Sequence, residues 1–175
     1  SLDMEFVQTI HNEAFAQEIT QSGSLHIMQP NLFLWDITFP LEQRYYFDGS
    51  SLKVWNPMTN QLLISEYVGT EGNMASMLQN LSSLSKEYHV GIHTQTSSDI
   101  TLNAVPNTDI GCSKVQMTFS RKSYELLSLD SHCADTGTVH ISFSNPKTNT
   151  RTDTSIFDWN PPADAEVISS TDLME

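Results

Sequence analysis

The chain has 175 residues, 38% of them hydrophobic, with 21 acidic side chains against 8 basic ones and a formal net charge of −13. That length fits one domain over residues 1–175 with its own core, and no stretch approaches the ~20 apolar residues of a membrane-crossing helix. The acidic excess excludes the clustered Lys and Arg needed for nucleic acid or anionic lipid surfaces; its plainest meaning is solubility through like-charge repulsion, with steering of a basic partner as a secondary one.

Ser1-Leu2 carries no initiator Met and no signal-peptide pattern follows, so a mature or truncated chain is expected. Residues 3–11 place Met4, Phe6, Val7 and Ile10 at the spacing of a short amphipathic helix, with Asp3 as its N-cap. From Ala14 a period of two takes over. Phe15, Gln17 and Ile19 share one strand face, and Leu25 and Ile27 alternate with His26 and Met28. Runs at 32–38, 42–47, 51–55 and 61–67 follow. They are punctuated by Gln29-Pro30-Asn31, Phe39-Pro40, the hairpin signal Asp48-Gly49 and the turn at 56–60. Residues 73–84 read as a second amphipathic helix, capped by Asn73, with Met74, Met77, Leu78, Leu81 and Leu84 on one side. Strands resume at 88–96, 100–105, 114–119, 124–129 and 138–143, with Arg121-Lys122 and Thr136-Gly137 as turns. A last strand covers 155–159 before Asn160-Pro161-Pro162. Roughly ten strands and two short helices predict a mainly β chain, an α+β arrangement of one curved antiparallel sheet whose face the helices cover, as fixed core or as lid.

Catalytic patterns are missing. No HExxH, G-x-S-x-G, Walker loop or dinucleotide fingerprint occurs, so no enzyme, cofactor or metal is expected. His89 and His93 would share a strand face but lack a third ligand, and read as ordinary strand histidines. Asp130, His132 and Asp135 around Cys133 read as turn chemistry rather than a nucleophile site. Two cysteines are too few for a four-thiolate zinc site and are not a CxxC pair. If Arg121-Lys122 is a hairpin turn, Cys112 and Cys133 come near its open end. A disulfide fits there and indicates an oxidising compartment, two unpaired thiols being the alternative.

The segment Gly23-Ser24-Leu25-His26-Ile27-Met28-Gln29-Pro30-Asn31-Leu32-Phe33-Leu34-Trp35 resembles the signature of the bacterial outer-membrane lipoprotein carrier family. The likeness continues through Pro40, Glu42-Gln43, Asp48-Gly49, Leu52, Trp55, Asn56-Pro57 and Gln61. Upstream it includes Phe15-Ala16-Gln17; downstream, Leu129-Asp130 and Phe157-Asp158-Trp159-Asn160-Pro161-Pro162. The ordered set is specific where each piece is weak. The resemblance implies an unclosed β-barrel with short lid helices over an apolar cavity. It implies a periplasmic, non-enzymatic carrier that takes acylated lipoproteins from an inner-membrane ABC transporter to an outer-membrane receptor, as a monomer. A carrier of another amphiphile on the same fold, a glycolipid or acyl-linked molecule, is the alternative.

Within the matched strands, alternation nominates Phe15, Leu25, Ile27, Phe33, Trp35, Phe47 and Trp55 as lining an acyl-chain cavity. Met74, Met77, Leu78 and Leu81 would face them from the lid. Phe33 and Trp35 are preferred over Leu32 and Leu34 because large aromatics gain most from burial. One departure stands out: the family commonly has Arg where Gln29 stands, and that arginine is thought to lock the lid by hydrogen bonds to helix backbone. Gln donates too, but without charge or the guanidinium fork. The link from Gln17 to Gly23 also looks short, implying a trimmed first hairpin.

Overall fold

The computed structural model describes residues 1–12, 16–66, 84–108, 111–134, 137–149 and 154–169. The first half of the chain gives β1 (Leu2–Asn12), β2 (Gln17–Met28), β3 (Leu32–Phe39), β4 (Gln43–Phe47), β5 (Ser51–Asn56) and β6 (Gln61–Glu66). A short helix α1 (Leu84–Glu87) leads into β7 (Tyr88–Gln95), β8 (Asp99–Pro106), β9 (Cys112–Ser120), β10 (Leu126–Cys133) and β11 (Gly137–Thr148). A 3-10 turn (Thr154–Phe157) and β12 (Glu166–Ser169) close the described chain.

All twelve strands form one sheet in the order β12-β6-β5-β4-β3-β2-β1-β11-β10-β9-β8-β7. Successive hairpins run outward from β1 on one side, and β11 back to β7 forms the other, joined where β1 pairs with β11. The outermost strands, β12 and β7, are not paired with each other, so the sheet is an unclosed β-barrel. Every pairing is antiparallel except β12 with β6, whose parallel register aligns Glu166 with Gln61.

Directly opposed residues of paired strands share a face. The register Phe6–Gly23–Ile37, Met4–Leu25–Trp35 and Ile27–Phe33–Phe47 therefore defines one inward face across β1 to β4. Phe143, Ile141 and Val139 on β11, Leu129 on β10 and Met117 on β9 continue it. Phe6, Leu25, Met117, Leu129 and Ile141 are the largest fully buried side chains. Burying each contributes about 1.5–3 kcal/mol, which is what fixes the register, since a one-residue slip would turn the whole apolar set outward.

Four expectations are corrected. Residues 3–11 are strand β1, not a helix. Met4 and Phe6 are buried while Val7, which the helix would have needed on its apolar side, is 49% exposed. Ladders on both sides, to β2 and β11, override the local spacing. Residues 17–28 form one unbroken strand with Gly23 inside it and Asn12 still opposite Gln17, so no connection separates Gln17 from Gly23. Residues 155–159 are not a strand: the 3-10 turn and the residues after it lie across the outer face, where Phe157 is buried with Leu34 and Tyr46. Asp130, His132 and Cys133 sit inside β10 rather than in a turn. The connection to β11 comes later, beginning at Ala134, while the expected turn at Arg121-Lys122 does join β9 to β10, with Tyr124 at φ 60° and 83% exposed. The expected helix at 73–84 lies outside the described residues apart from Leu84, which starts α1 and is buried against the inward cluster.

Candidate acyl-chain face

Gly23 sets the geometry of the inward face at its crowded centre. A Cβ there would overlap the main-chain oxygen of Asp36, so only glycine lets β2 and β3 approach at the bulge between Ser22 and Gly23. Beside it the Phe6 ring tilts onto Trp35, centroids 4.2 Å apart, and Trp35 stacks loosely with Phe33 at 6.2 Å. Leu25, Ile27, Phe33, Trp35 and Ile37 fall in one buried cluster, with Tyr45 and Phe47 packed against it. The surroundings are dry enough that burial pushes the Tyr45 phenol above its ordinary pKa. Its hydroxyl donates to Gln43 Oε1 at 3.1 Å.

The end of this face near Phe33 and Phe47 is held by turn chemistry. Gln29, Pro30 and Asn31 connect β2 to β3, and the Asn31 side chain packs so closely on Gly49 that a Cβ there would meet it at 2.8 Å. Gly49 has φ +93°, the left-handed conformation that the Asp48-Gly49 pair supplies. Burial tends to raise the Asp48 carboxyl, but hydrogen bonds from Lys53, from the Ser50 hydroxyl and from the amides of Ser51 and Ser50 overcome it and hold the group well below the usual carboxylate range.

With this geometry in view, the comparisons with known proteins decide the family. A family model described as "Outer membrane lipoprotein carrier protein LolA" matches residues 1–160. The chain belongs to the LolA family. Among curated relatives, an outer-membrane lipoprotein carrier protein of Dechloromonas aromatica is 24% identical over 170 residues, covering 96% of this chain and 81% of its own. One of Neisseria gonorrhoeae is 25% identical over 168 residues, covering 94% and 79%. An uncharacterized conserved protein from Thermus thermophilus has the same fold at 12% identity, with a TM-score of 0.59 over 95% of this chain and 90% of that one.

In this LolA-family chain, Leu25, Ile27, Phe33 and Trp35 come together on the inward face with Phe47 beside them. Trp55 does not join them. It lies opposite Arg44 in the β4–β5 register, one residue out of phase with Val54 opposite Tyr45, and so projects from the outer face. The alternation of β5 allows either parity, and the outer face offers aromatic cover of its own in Trp159. Leu34 is not left in water either: it is 2% exposed, covered by Phe157, so both parities of β3 are buried. Phe15, Met74, Met77, Leu78 and Leu81 lie outside the described residues. Gln29 is exposed in the β2–β3 turn. The sequence reading missed Met4 and Phe6, whose period-two spacing with Leu2 was the available signal. It also missed Tyr88, Met117 and Phe143, which extend the cluster across the sheet.

Cys112 and Cys133 oppose each other in the β9–β10 ladder and are disulfide-bonded. His89 and His93 are both exposed on β7 and separated by the register shift between Ile92 and Thr94. Two Asp–His–Ser chains run across the outer face. His26 Nδ1 meets Asp3 Oδ1 at 2.9 Å with Nε2 3.2 Å from Ser24 Oγ. His140 Nδ1 meets Asp130 Oδ1 at 2.6 Å with Nε2 3.0 Å from Ser142 Oγ. Both lie on strands paired on each side, whose amides are committed to the ladder. Neither chain is backed by a pair of free N–H groups for an oxyanion, and each acts as a cross-strand polar tie.

Proposed function

We propose that the inward face shelters the acyl chains of lipoproteins, which the protein carries across the periplasm from an inner-membrane ABC transporter to an outer-membrane receptor. The carrying observation is the continuous apolar cluster on one side of a sheet whose edges do not meet. Each CH₂ kept from water is worth ~0.8 kcal/mol, so an acylated lipoprotein needs such a surface to travel through an aqueous space. An unclosed barrel can widen to admit bulky chains without breaking a ladder between its two edge strands. Membership of the LolA family supports the same reading, as does the absence of a pattern for bond-making chemistry in the sequence. The whole chain acts as one domain and as a monomer, because its inner face must be offered to two partners in turn.

The test is release. The protein is added to spheroplasts producing a labelled lipoprotein, and the soluble fraction is analysed by size exclusion. A soluble one-to-one complex is expected. Phe47→Asp, which sets a charge at a half-buried inward position, should abolish the complex while leaving thermal unfolding cooperative. No release by folded protein would refute the lipoprotein reading and leave another amphiphile, such as a glycolipid, as cargo.

A further inference from the structure

At the end of the sheet where β3 turns into β4 and β5 into β6, the outer face holds a cavity of about 310 Å³ whose lining includes Glu42, Gln43, Arg44, Trp55, Pro57 and Trp159. It lies across the sheet from the acyl-chain face and takes no part in the carrier reading. The volume is at the low end of the about 300–1,000 Å³ of small-ligand sites, room for a few residues of an extended chain.

Its hydrogen-bonding inventory narrows the ligand. Arg44 spends Nε and Nη2 on the two Asp36 oxygens, at 2.5 and 2.7 Å, and its guanidinium lies 5.2 Å from the Trp159 ring. That pair cancels its own charge and leaves Nη1 over. The Gln43 side chain belongs to the inner face, where it stands opposite Ile37 and accepts from Tyr45, so the donors on this side are Arg44 Nη1 and the indoles. Among the described residues, neither the Trp55 nor the Trp159 indole N–H donates a hydrogen bond, and the exposed Glu42 carboxylate has no partner. The cavity is thus rich in donors and aromatic surface, with one unneutralised carboxylate. An anionic ligand is disfavoured by Glu42 and by the net charge of −13. A sugar brings about as many donors as acceptors, which a donor-rich wall does not match. An extended proline-rich segment brings free carbonyls, few N–H groups and apolar rings that pack on tryptophan. The neighbouring turns add Phe39, Leu41 and Met58, exposed by 59, 56 and 66%, as further apolar contacts for a peptide.

We propose that this outer-face cavity binds a proline-rich, extended segment of a partner protein, with Glu42 selecting a Lys or Arg at one flank. The titration is direct because two of the chain's three tryptophans line the cavity while Trp35 is buried on the other side. Intrinsic fluorescence of the full chain is followed against a synthetic proline-rich peptide ending in Arg, the same peptide with every Pro replaced by Ala, and maltose. Saturable binding of the proline-rich peptide alone is expected. Trp55→Ala should weaken it about tenfold, the scale of an aromatic anchor. Glu42→Gln, an exposed change that leaves the core untouched, should weaken it about threefold and flatten its salt dependence. No saturation, equal binding of the proline-free peptide, binding of maltose instead, or indifference to Glu42→Gln would each overturn the proposal.

Discussion

Asp48 gathers five hydrogen bonds on one carboxylate: from the amide and hydroxyl of Ser50, the amide and hydroxyl of Ser51, and Lys53 Nζ at 2.9 Å. The sequence announces this turn, because Asp-Gly between two apolar runs is short-range chemistry needing no partner from elsewhere. A carboxyl held low in the folded chain stabilises it above the unfolded pKa of about 4, and that stability is lost as pH falls toward the depressed folded value. Asp48→Asn should therefore cost about 1–2 kcal/mol near neutrality. The gap between the two proteins should begin to close below about pH 4 and narrow steadily to pH 2. Thermal unfolding of both, run from pH 7 to pH 2, checks this. A gap that stays constant to pH 2 would show that the ionised carboxylate is not the stabilising form.

Elements were legible where turn residues bracket a short apolar run. The hairpins from β3 to β6 and the strands β7 to β9 follow that rule and fall within a few residues of their expected places. β1 breaks it: Val7 is an apolar residue on the outward face, and with Met4 and Ile10 it imitates a helical stripe. β12 has four residues and a parallel partner more than a hundred positions earlier, which local pattern does not reveal. The residues before it carried Phe157 and Trp159 at a spacing of two, yet serve as a cover for the outer face. The Tyr46 hydroxyl pins that cover by donating to the Phe157 carbonyl at 2.9 Å, in a buried setting. Tyr46→Phe leaves that carbonyl without its donor, a loss of about 1–2 kcal/mol. For a chain of this size that is a fall in Tm of about 2–8 °C, readable by calorimetry. An unchanged Tm would mean that the carbonyl finds another donor, and that apolar contact with Leu34 alone holds the cover.

For the whole molecule, the sequence conveyed an unclosed barrel with an apolar interior more fully than it conveyed which residues line it. Facing depends on register, and register on pairings such as Arg44 with Trp55 that no single strand encodes. Charge, in contrast, is fully legible and has a global consequence. With 21 acidic and 8 basic side chains, repulsion among carboxylates acts throughout the folded state. Few contacts relieve it: among the described residues only Arg44 and Lys53 supply ion pairs from permanently charged bases, the other two bridges using histidine. The compact chain holds these charges closer together than the unfolded one, so screening should favour folding. The Debye length falls from about 30 Å at 0.01 M to about 8 Å at 0.15 M salt, which spans the separations involved. Raising NaCl over that range should increase Tm by a few degrees, with most of the gain at the low-salt end, where screening changes fastest. Sodium sulfate compared with NaCl at equal ionic strength separates the causes. Equal shifts assign the gain to screening, whereas a much larger sulfate effect would assign it to strengthened apolar burial and show that the acidic excess costs the fold little.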